Sequence, residues 1–171
     1  MILLSTLNAR YSHASLGLRY LLANMGELQT QTEIQEFVIG DKTEDVVEAM
    51  LAKSPRIIGL GVYIWNAEES ARVVALLKQV APDTIVVIGG PEVSYEHEDQ
   101  AIVQWADHLI CGPGDLAFAR LCWQLINGEQ PPKVIQADHP ALDKVRMPYA
   151  HLTTMTSAIV CYMWKRPVAV T

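Results

Sequence analysis

The chain has 171 residues and a formal net charge of −6, and it is 50% hydrophobic and 19% charged. This length and apolar content are typical of one folded domain and exclude a disordered chain, while the acidic balance argues against a nucleic-acid binder. No apolar run reaches the roughly 20 residues of a membrane helix, and three widely spaced cysteines (Cys111, Cys122 and Cys161) indicate a reducing, cytoplasmic location.

Five apolar runs alternate with five amphipathic stretches along the first three quarters of the chain. In chain order, the pattern predicts strand 1–7, helix 16–25, strand 32–39, a helix from 43 to before Pro55, strand 56–64, helix 67–80, strand 84–88, helix 95–105, strand 107–111 and helix 116–126. Ser15, Asn66 and Asp115 are the predicted N-caps of their helices. Strict alternation of this kind predicts a parallel sheet with helices on both faces.

The third and fourth strands are apolar on both faces, which places them in the centre of the sheet. The predicted fold is therefore α/β, a flavodoxin-like (Rossmann-type), doubly wound, five-stranded parallel sheet of order 2-1-3-4-5 in three α/β/α layers. Residues 1–128 form the predicted domain. From Glu129 onward the regular pattern dissolves, and residues 129–171 are predicted to be an extended linker or tail.

Ligands of open α/β sheets bind beyond the carboxyl ends of the strands. The loops predicted there combine aromatic side chains with small, flexible backbone, which suits a large flat ligand with an amide-rich rim. Taken singly, the same residues also fit sheet-edge packing or strand-to-helix turns. The candidate ligand-binding residues are Asn8, Arg10, Tyr11, Ser12, His13, Gly61, Tyr63, Trp65, Asn66, Gly89, Gly90, Pro91, Glu92, Gly112 and Gly114.

Two common kinds of site are not supported by the sequence. No G-x-G-x-x-G follows the first strand and no phosphate-binding G-x-x-x-x-G-K-[ST] occurs anywhere, so a simple nucleotide site is not indicated. The five histidines are scattered, and their spacing predicts no metal cluster. No local Ser-His-Asp or Cys-His arrangement indicates nucleophilic catalysis.

Four segments, in order, resemble a known family. They are N-A-R-Y-S-H-A-S-L-G-L-R-Y-L at 8–21, I-G-L-G-V-Y-I-W-N at 58–66, V-I-G-G-P-E-V-S at 87–94 and C-G-P-G-D at 111–115. Together they resemble the N-terminal cobalamin (B12)-binding domain of B12-dependent radical SAM proteins, the group named after the anaerobic magnesium-protoporphyrin IX monomethyl ester cyclase. The resemblance covers residues 1–128.

The resemblance implies that cobalamin is the cofactor, with the corrin across the strand ends and its nucleotide tail beside the sheet. Gly89 and Gly90 match the glycine pair that lets the tail approach the backbone. Residues 61–63 stand where related B12 proteins have S-x-L, with glycine replacing serine. His13 matches the histidine of D-x-H-x-x-G and is the candidate axial cobalt ligand. Tyr11 replaces the aspartate of that motif, and one extra residue precedes Gly17, so a cobalt without a protein ligand is equally compatible.

The resemblance also sets the expected function. The three cysteines do not form C-x-x-x-C-x-x-C, so the [4Fe–4S] cluster and S-adenosylmethionine are expected only in a missing C-terminal domain. The expected role is the cobalamin-binding module of a truncated enzyme for methyl transfer or radical rearrangement. The chain alone is not expected to be catalytic, and its partners would be a corrinoid and a radical SAM domain in cis or in trans. An apolar face left open by a missing domain would favour a homodimer.

Two alternatives stay open. One is a docking domain of the same fold that binds no cofactor, and the other is a flavodoxin-like enzyme that uses a different cofactor.

A further expectation concerns the tail after about Leu152. Read in a shifted frame, the codons of residues 163–170 permit V-E-A-S-R-G-C, which resembles the entry of this family into its radical SAM domain, so we expect that the reading frame was lost near Leu152.

Overall fold

The computed structural model describes residues 1–9, 14–95 and 97–151. Within them, six strands form one parallel sheet of order β2-β1-β3-β4-β5-β6. The strands are β1 (Ile2–Asn8), β2 (Thr32–Val38), β3 (Ile57–Gly61), β4 (Ile85–Gly89), β5 (His108–Cys111) and β6 (Val134–Gln136). The flavodoxin-like fold and the order of the first five strands are confirmed, with β2 at one edge.

Five α-helices connect these strands and cover both faces of the sheet. They are α1 (Leu16–Ala23), α2 (Thr43–Leu51), α3 (Ala67–Val80), α4 (Ala101–Trp105) and α5 (Gly114–Ile126). Apolar side chains of α2, α3 and α4 form one core with the sheet, and those of α1 and α5 form the other. Short 3-10 turns at Gly26–Gln31, Pro91–Val93, Leu142–Lys144 and Pro148–His151 complete the path.

The count of five strands is wrong, because β6 adds a sixth. This strand pairs in parallel with β5 through Leu109 N–H, which donates to Lys133 O at 2.7 Å, and Ala137 N–H, which donates to Cys111 O at 2.9 Å. Only three residues long, largely exposed and preceded by Pro131 and Pro132, it lacks the long apolar pattern that identifies a central strand. The sheet therefore continues past the domain end predicted at Gly128.

The predicted helix 95–105 is also wrong over its first half. Among the described residues of this stretch, only Ala101–Trp105 is helical. Between Tyr95 and Ala101 the sequence is wholly polar, so a helix there would have no apolar face to bury. Gln100 instead bonds backwards, its Nε2 donating to Glu92 O at 2.9 Å. The strand predicted to run to residue 64 ends at Gly61, and α5 begins at Gly114, ahead of the predicted cap Asp115.

Strand alternation divides the sheet into two unlike faces. On β3, Ile58 and Leu60 point into the α2–α3–α4 core, whereas Ile57 points into the α1–α5 core. Because side chains alternate with a period of two, Gly59 and Gly61 share the face of Ile57. Towards its carboxyl end, this strand therefore presents bare backbone to α1 and α5.

The segment after β6 packs against α1. Asn24, the residue after α1, makes two reciprocal bonds with Arg146: its Nδ2 donates to Arg146 O at 3.0 Å, and Arg146 N–H donates to its Oδ1 at 2.8 Å. One turn earlier, the Tyr20 hydroxyl donates to Met147 Sδ at 3.3 Å. The segment thus braces the helix that lies opposite the bare face of β3. Among the described residues, no helix is both long and apolar enough to cross a lipid bilayer.

Candidate functional site

A cavity of about 160 Å³ lies between the carboxyl half of the sheet and helices α1 and α5. We call it the glycine slot, because seven of the chain's ten glycines line it. The glycines are Gly17, Gly59, Gly61, Gly89, Gly90, Gly112 and Gly114, and the other lining residues are Leu18, Leu21, Leu60, Tyr63, Val87, Ile88, Ile110, Asp115 and Phe118.

The floor of the slot is formed by paired strand glycines. Gly61 of β3 and Gly89 of β4 are register partners, so two adjacent strands lack side chains at the same level. A Cβ on Gly61 would have its nearest neighbour at 3.5 Å, and a Cβ on Gly89 would have one at 3.4 Å. These are ordinary contact distances at regular strand positions. Neither glycine is required by the fold, and the missing side chains leave open volume.

Gly90 is different, because the fold itself requires it. Its φ is +123°, and a Cβ there would overlap Val62 O. Gly112, with a φ of +89°, likewise turns the chain after β5. The Ser94 hydroxyl joins these two turns: it donates to Gly90 O at 2.8 Å and accepts from Gly112 N–H at 3.1 Å. Ser94 was not among the candidate residues.

Asn66 holds the loop after β3 and is fully buried. Its Oδ1 accepts from Tyr63 N–H at 2.8 Å, and its Nδ2 donates to Leu7 O at 2.9 Å and to Thr6 Oγ1 at 3.2 Å. Asn66 is the N-cap residue of α3, as predicted, but its side chain makes no capping hydrogen bond to that helix. Its amide instead fastens the β3 loop to the end of β1, which fixes the aromatic residues of that loop.

Those aromatic residues form a stacked pair at the mouth of the slot. The rings of Tyr63 and Trp65 are parallel, with centroids 4.6 Å apart. Tyr63 lines the slot, while Trp65 and the neighbouring Ile64 are 49% and 78% exposed. An exposed flat aromatic surface next to an apolar cavity can pack against a large planar ligand.

The loop between β1 and α1, called the first loop from here on, is held at both ends by Glu36. This β2 residue is not among the candidates predicted from sequence. Its Oε1 accepts from Asn8 Nδ2 at 3.0 Å and from Ser15 N–H at 2.6 Å, and its Oε2 accepts from Arg19 Nη2 at 2.7 Å. One carboxylate thereby ties together both ends of the loop. Ser15 caps α1 as predicted, its Oγ accepting from Leu18 N–H at 3.3 Å.

Six of the candidate residues line the slot, namely Gly61, Tyr63, Gly89, Gly90, Gly112 and Gly114. Asn8, Trp65, Asn66, Pro91 and Glu92 lie around it without lining it. Arg10, Tyr11, Ser12 and His13 lie outside the described residues, so the assignment of His13 stays a prediction. Sequence reasoning missed Gly17, Gly59 and Phe118. The spacing Gly59-x-Gly61 in an otherwise apolar strand was the available signal for one bare face.

The thiols of the described cysteines, Cys111 and Cys122, are buried and do not favour the reactive thiolate form. Burial raises the pKa of Cys122 to about 12. Burial also raises the pKa of Cys111, whose side-chain bond to Gln136 acts in the opposite direction. Within the described part of the chain, no three His, Cys, Asp or Glu side chains come together as a metal site would need.

Comparison with known proteins agrees with this architecture. The model of the B12 binding domain family matches residues 3–122. A curated relative, 2-(S-pantetheinyl)-carbapenam-3-carboxylate methyltransferase of Streptantibioticus cattleyicolor, is 31% identical over 118 residues. That match covers 67% of this chain but 16% of the relative, so the chain corresponds to a small part of that enzyme.

Two solved structures have the same fold. The radical S-adenosylmethionine methyltransferase TsrM from Kitasatospora setae superposes with a TM-score of 0.58 at 18% identity, covering 75% of this chain and 26% of that one. A cobalamin-binding protein from Desulfitobacterium hafniense DCB-2 superposes with a TM-score of 0.50 at 19% identity, covering 72% of this chain and 57% of that one.

Proposed function

Since the chain belongs to the B12 binding domain family, whose cofactor is cobalamin, we propose that it holds this cofactor at the carboxyl ends of its strands. In this proposal the corrin ring lies over the loops that carry Tyr63 and Trp65, and the nucleotide tail enters the glycine slot. The observation that carries the proposal is the open volume over Gly61 and Gly89. The fold does not need glycine at either position, but a ligand that approaches the strands does.

The lining of the slot fits the tail of a corrinoid. Below the mouth, the walls are apolar side chains of α1 and of strands β4 and β5: Leu18, Leu21, Val87 and Ile110. These would surround an aromatic base and exclude water from it. At the mouth, Asp115 and the Tyr63 hydroxyl are the polar side-chain groups among the lining residues, and they suit the polar sugar portion of the tail.

The remaining residues of the site would position the cofactor. Asn66 fixes the loop that carries the stacked rings, and Glu36 fixes both ends of the first loop. When bound, cobalamin supplies a cobalt centre that can carry a methyl group or take part in radical chemistry. The domain contributes binding, orientation and exclusion of water. His13 remains our candidate axial ligand, and nitrogen superhyperfine splitting in the cobalt(II) form that is lost in His13→Ala would establish it.

We further propose that the domain serves a larger enzyme that transfers methyl groups. A curated relative is a methyltransferase of which this chain matches 16%, which favours methyl transfer over the cyclase chemistry of the magnesium-protoporphyrin group. The proposed partner is a radical SAM domain, in cis or in trans, which would hold the [4Fe–4S] cluster and S-adenosylmethionine. A cytoplasmic location and a homodimer complete the proposal. Light scattering of the purified chain tests the dimer.

Cofactor binding can be tested on the chain as it stands. The purified protein is mixed with hydroxocobalamin, desalted and examined by visible absorption. We expect about one corrinoid per chain to be retained, with little retained by Gly61→Val. Ala52→Val, which enlarges an exposed residue at the opposite end of the sheet, is the matched control and should bind like the unmodified chain. If the unmodified protein retains no corrinoid at micromolar concentration, the proposal fails and the docking domain without a cofactor replaces it.

A further inference from the structure

The glycine slot is closed at its inner end by one aromatic ring, that of Phe118. This side chain comes from α5 and is 3% exposed. A Cβ built on Gly59 would lie only 2.6 Å from Phe118 Cζ and 2.7 Å from Cε2. The ring therefore rests directly on the bare backbone of β3, in the space that a side chain at position 59 would occupy.

Gly59 and Gly61 have different surroundings, although they lie on the same face of β3. The first is covered by Phe118, while the second has no side-chain neighbour nearer than 3.5 Å to its missing Cβ. Two residues of a strand span about 6.6 Å. The Phe118 ring therefore closes the slot about 6.6 Å from its open part over Gly61. Its position limits how deeply a ligand can enter.

The inner end of the slot offers no free polar group among the described residues that line it. The apolar side chains that line the slot include Leu18, Leu21, Val87, Ile110 and Phe118. The nearby backbone acceptors are already engaged: Gly89 O accepts from Val62 N–H at 2.8 Å, and Gly61 O accepts from Thr6 Oγ1 at 2.8 Å. Asp115 lies one helical turn before Phe118, nearer the mouth.

We propose that Phe118 sets the depth and polarity of the glycine slot, and thereby selects corrinoids with an apolar aromatic lower base, such as dimethylbenzimidazole, over those with adenine. This inference rests on the proposed entry of the nucleotide tail into the slot. The amino group and ring nitrogens of adenine would lose water there without gaining hydrogen-bond partners, whereas a methylated benzimidazole would bury only apolar surface. A preference of about tenfold to a hundredfold follows from such a loss.

The test is a set of visible-absorption titrations with three corrinoids: cobalamin, the cobamide that carries adenine as its lower base, and cobinamide, which has no nucleotide tail. The unmodified chain should bind cobalamin at least tenfold more tightly than the adenine cobamide. In Phe118→Ala, cobalamin affinity should fall and the ratio should shrink below about threefold, because water can then enter beside the base. Cobinamide affinity should not change.

Leu121→Ala is the matched control, because Leu121 lies one turn further along α5, is equally buried and does not line the slot. It should keep the ratio of the unmodified chain. Phe118→Leu, which keeps an apolar side chain over Gly59, serves if Phe118→Ala does not fold, and it should shift the ratio in the same direction by a smaller factor.

The outcomes separate this inference from the proposed function. If none of the three corrinoids binds, the proposed function fails and this inference with it. If cobalamin binds no better than cobinamide, the tail does not use the slot and the inference is overturned, although corrin binding stands. If cobalamin binds better than cobinamide but the adenine ratio is near one, or is the same in the Phe118 and Leu121 variants, only the role of Phe118 is overturned.

Discussion

The Glu36 carboxylate and the Arg19 guanidinium form an ion pair with 2.7 Å between Oε2 and Nη2, and their side chains are only 14% and 5% exposed. The second carboxylate oxygen of Glu36 binds both ends of the first loop. Arg19 Nη1 also donates to Ser15 O at 2.8 Å. An edge strand, the first loop and the start of α1 are therefore joined through one buried charge pair.

Removing this carboxylate should destabilise the protein strongly. Glu36→Ala removes the carboxylate that pairs with the buried Arg19 charge, which costs about 3 kcal/mol of unfolding free energy. Urea denaturation measures it. Glu33→Ala on the same strand is the control, because its pair with Lys53 is exposed on both sides (53% and 38%) and should change stability by less than about 0.5 kcal/mol. Equal effects of the two substitutions would contradict a structural role for the buried pair.

Valine side chains placed in the slot should weaken cobalamin binding without greatly changing the free energy of unfolding. Gly89→Val and Gly61→Val add apolar atoms to open volume, so the free energy of unfolding should stay within about 1 kcal/mol of the original value. Cobalamin affinity should fall at least about tenfold. Thermal melting and visible titration give the two quantities. Gly90→Leu should instead unfold the protein, because its Cβ would overlap Val62 O. A stable Gly90→Leu variant would contradict the close contact between Gly90 and Val62.

The buried amide of Asn66 should not tolerate a carboxylate. Asn66→Asp would direct an oxygen at Leu7 O and Gly61 O, which are both acceptors, so we expect a loss of about 3 kcal/mol or more in the free energy of unfolding. Asn127→Asp makes the same chemical change at an exposed position where Nδ2 donates to Trp123 O. This control should lose less than about 1 kcal/mol. Similar losses at both positions would argue against the Asn66 network.

The contact between Asn24 and Arg146 can be followed by hydrogen exchange. Asn24→Ala removes the acceptor of Arg146 N–H, so exchange at that amide should accelerate at least about tenfold. Tyr20→Phe removes only the hydroxyl bond to Met147 Sδ and should leave the Arg146 amide protected. Unchanged exchange in Asn24→Ala would mean that the segment does not lie on α1 in solution.

The buried thiols should resist alkylation. With a pKa of about 12, Cys122 is thiolate in roughly one molecule in ten thousand at pH 8, and burial also blocks access to it. Peptide mass spectrometry after iodoacetamide treatment at pH 8 should find Cys122 and Cys111 unmodified in the native protein and alkylated in urea. Rapid native labelling of Cys122 would contradict the packing of α5 against the sheet.

Long apolar runs made most of the fold predictable from sequence. Strands β3 and β4 are bounded by proline or glycine and are buried on both faces, so their type and central position followed directly. Strand β6 could not be predicted, because three largely exposed residues carry no periodic pattern. The helix predicted over residues 95–105 begins too early, because charged residues alone do not supply the buried face that a helix in a globular domain needs.

Only part of the candidate site could be predicted from the sequence, because some of its residues act through contacts between distant segments. Loop glycines and the aromatic residues Tyr63 and Trp65 stand out in sequence because their residue types are unusual beside apolar strands. The contributions of Glu36, Phe118 and Ser94 arise from contacts between distant segments, such as the Ser94 hydroxyl bound to Gly112 N–H. A carboxylate on an exposed-looking edge strand and a phenylalanine on an amphipathic helix have no local mark of such roles.

The bare strand surface over Gly61 and Gly89 also makes the α1–α5 half of the molecule a hydrophobic core that is unfinished without its ligand. A ligand that binds only the folded state stabilises it by mass action, by about 2.7 kcal/mol at a hundred times its dissociation constant. Here the ligand would also supply the packing atoms that the strands omit. Cofactor binding should therefore stabilise the α1–α5 face of the sheet more than the α2–α3–α4 face. Substitutions that fill this space should therefore give a protein whose stability no longer rises when cobalamin is added.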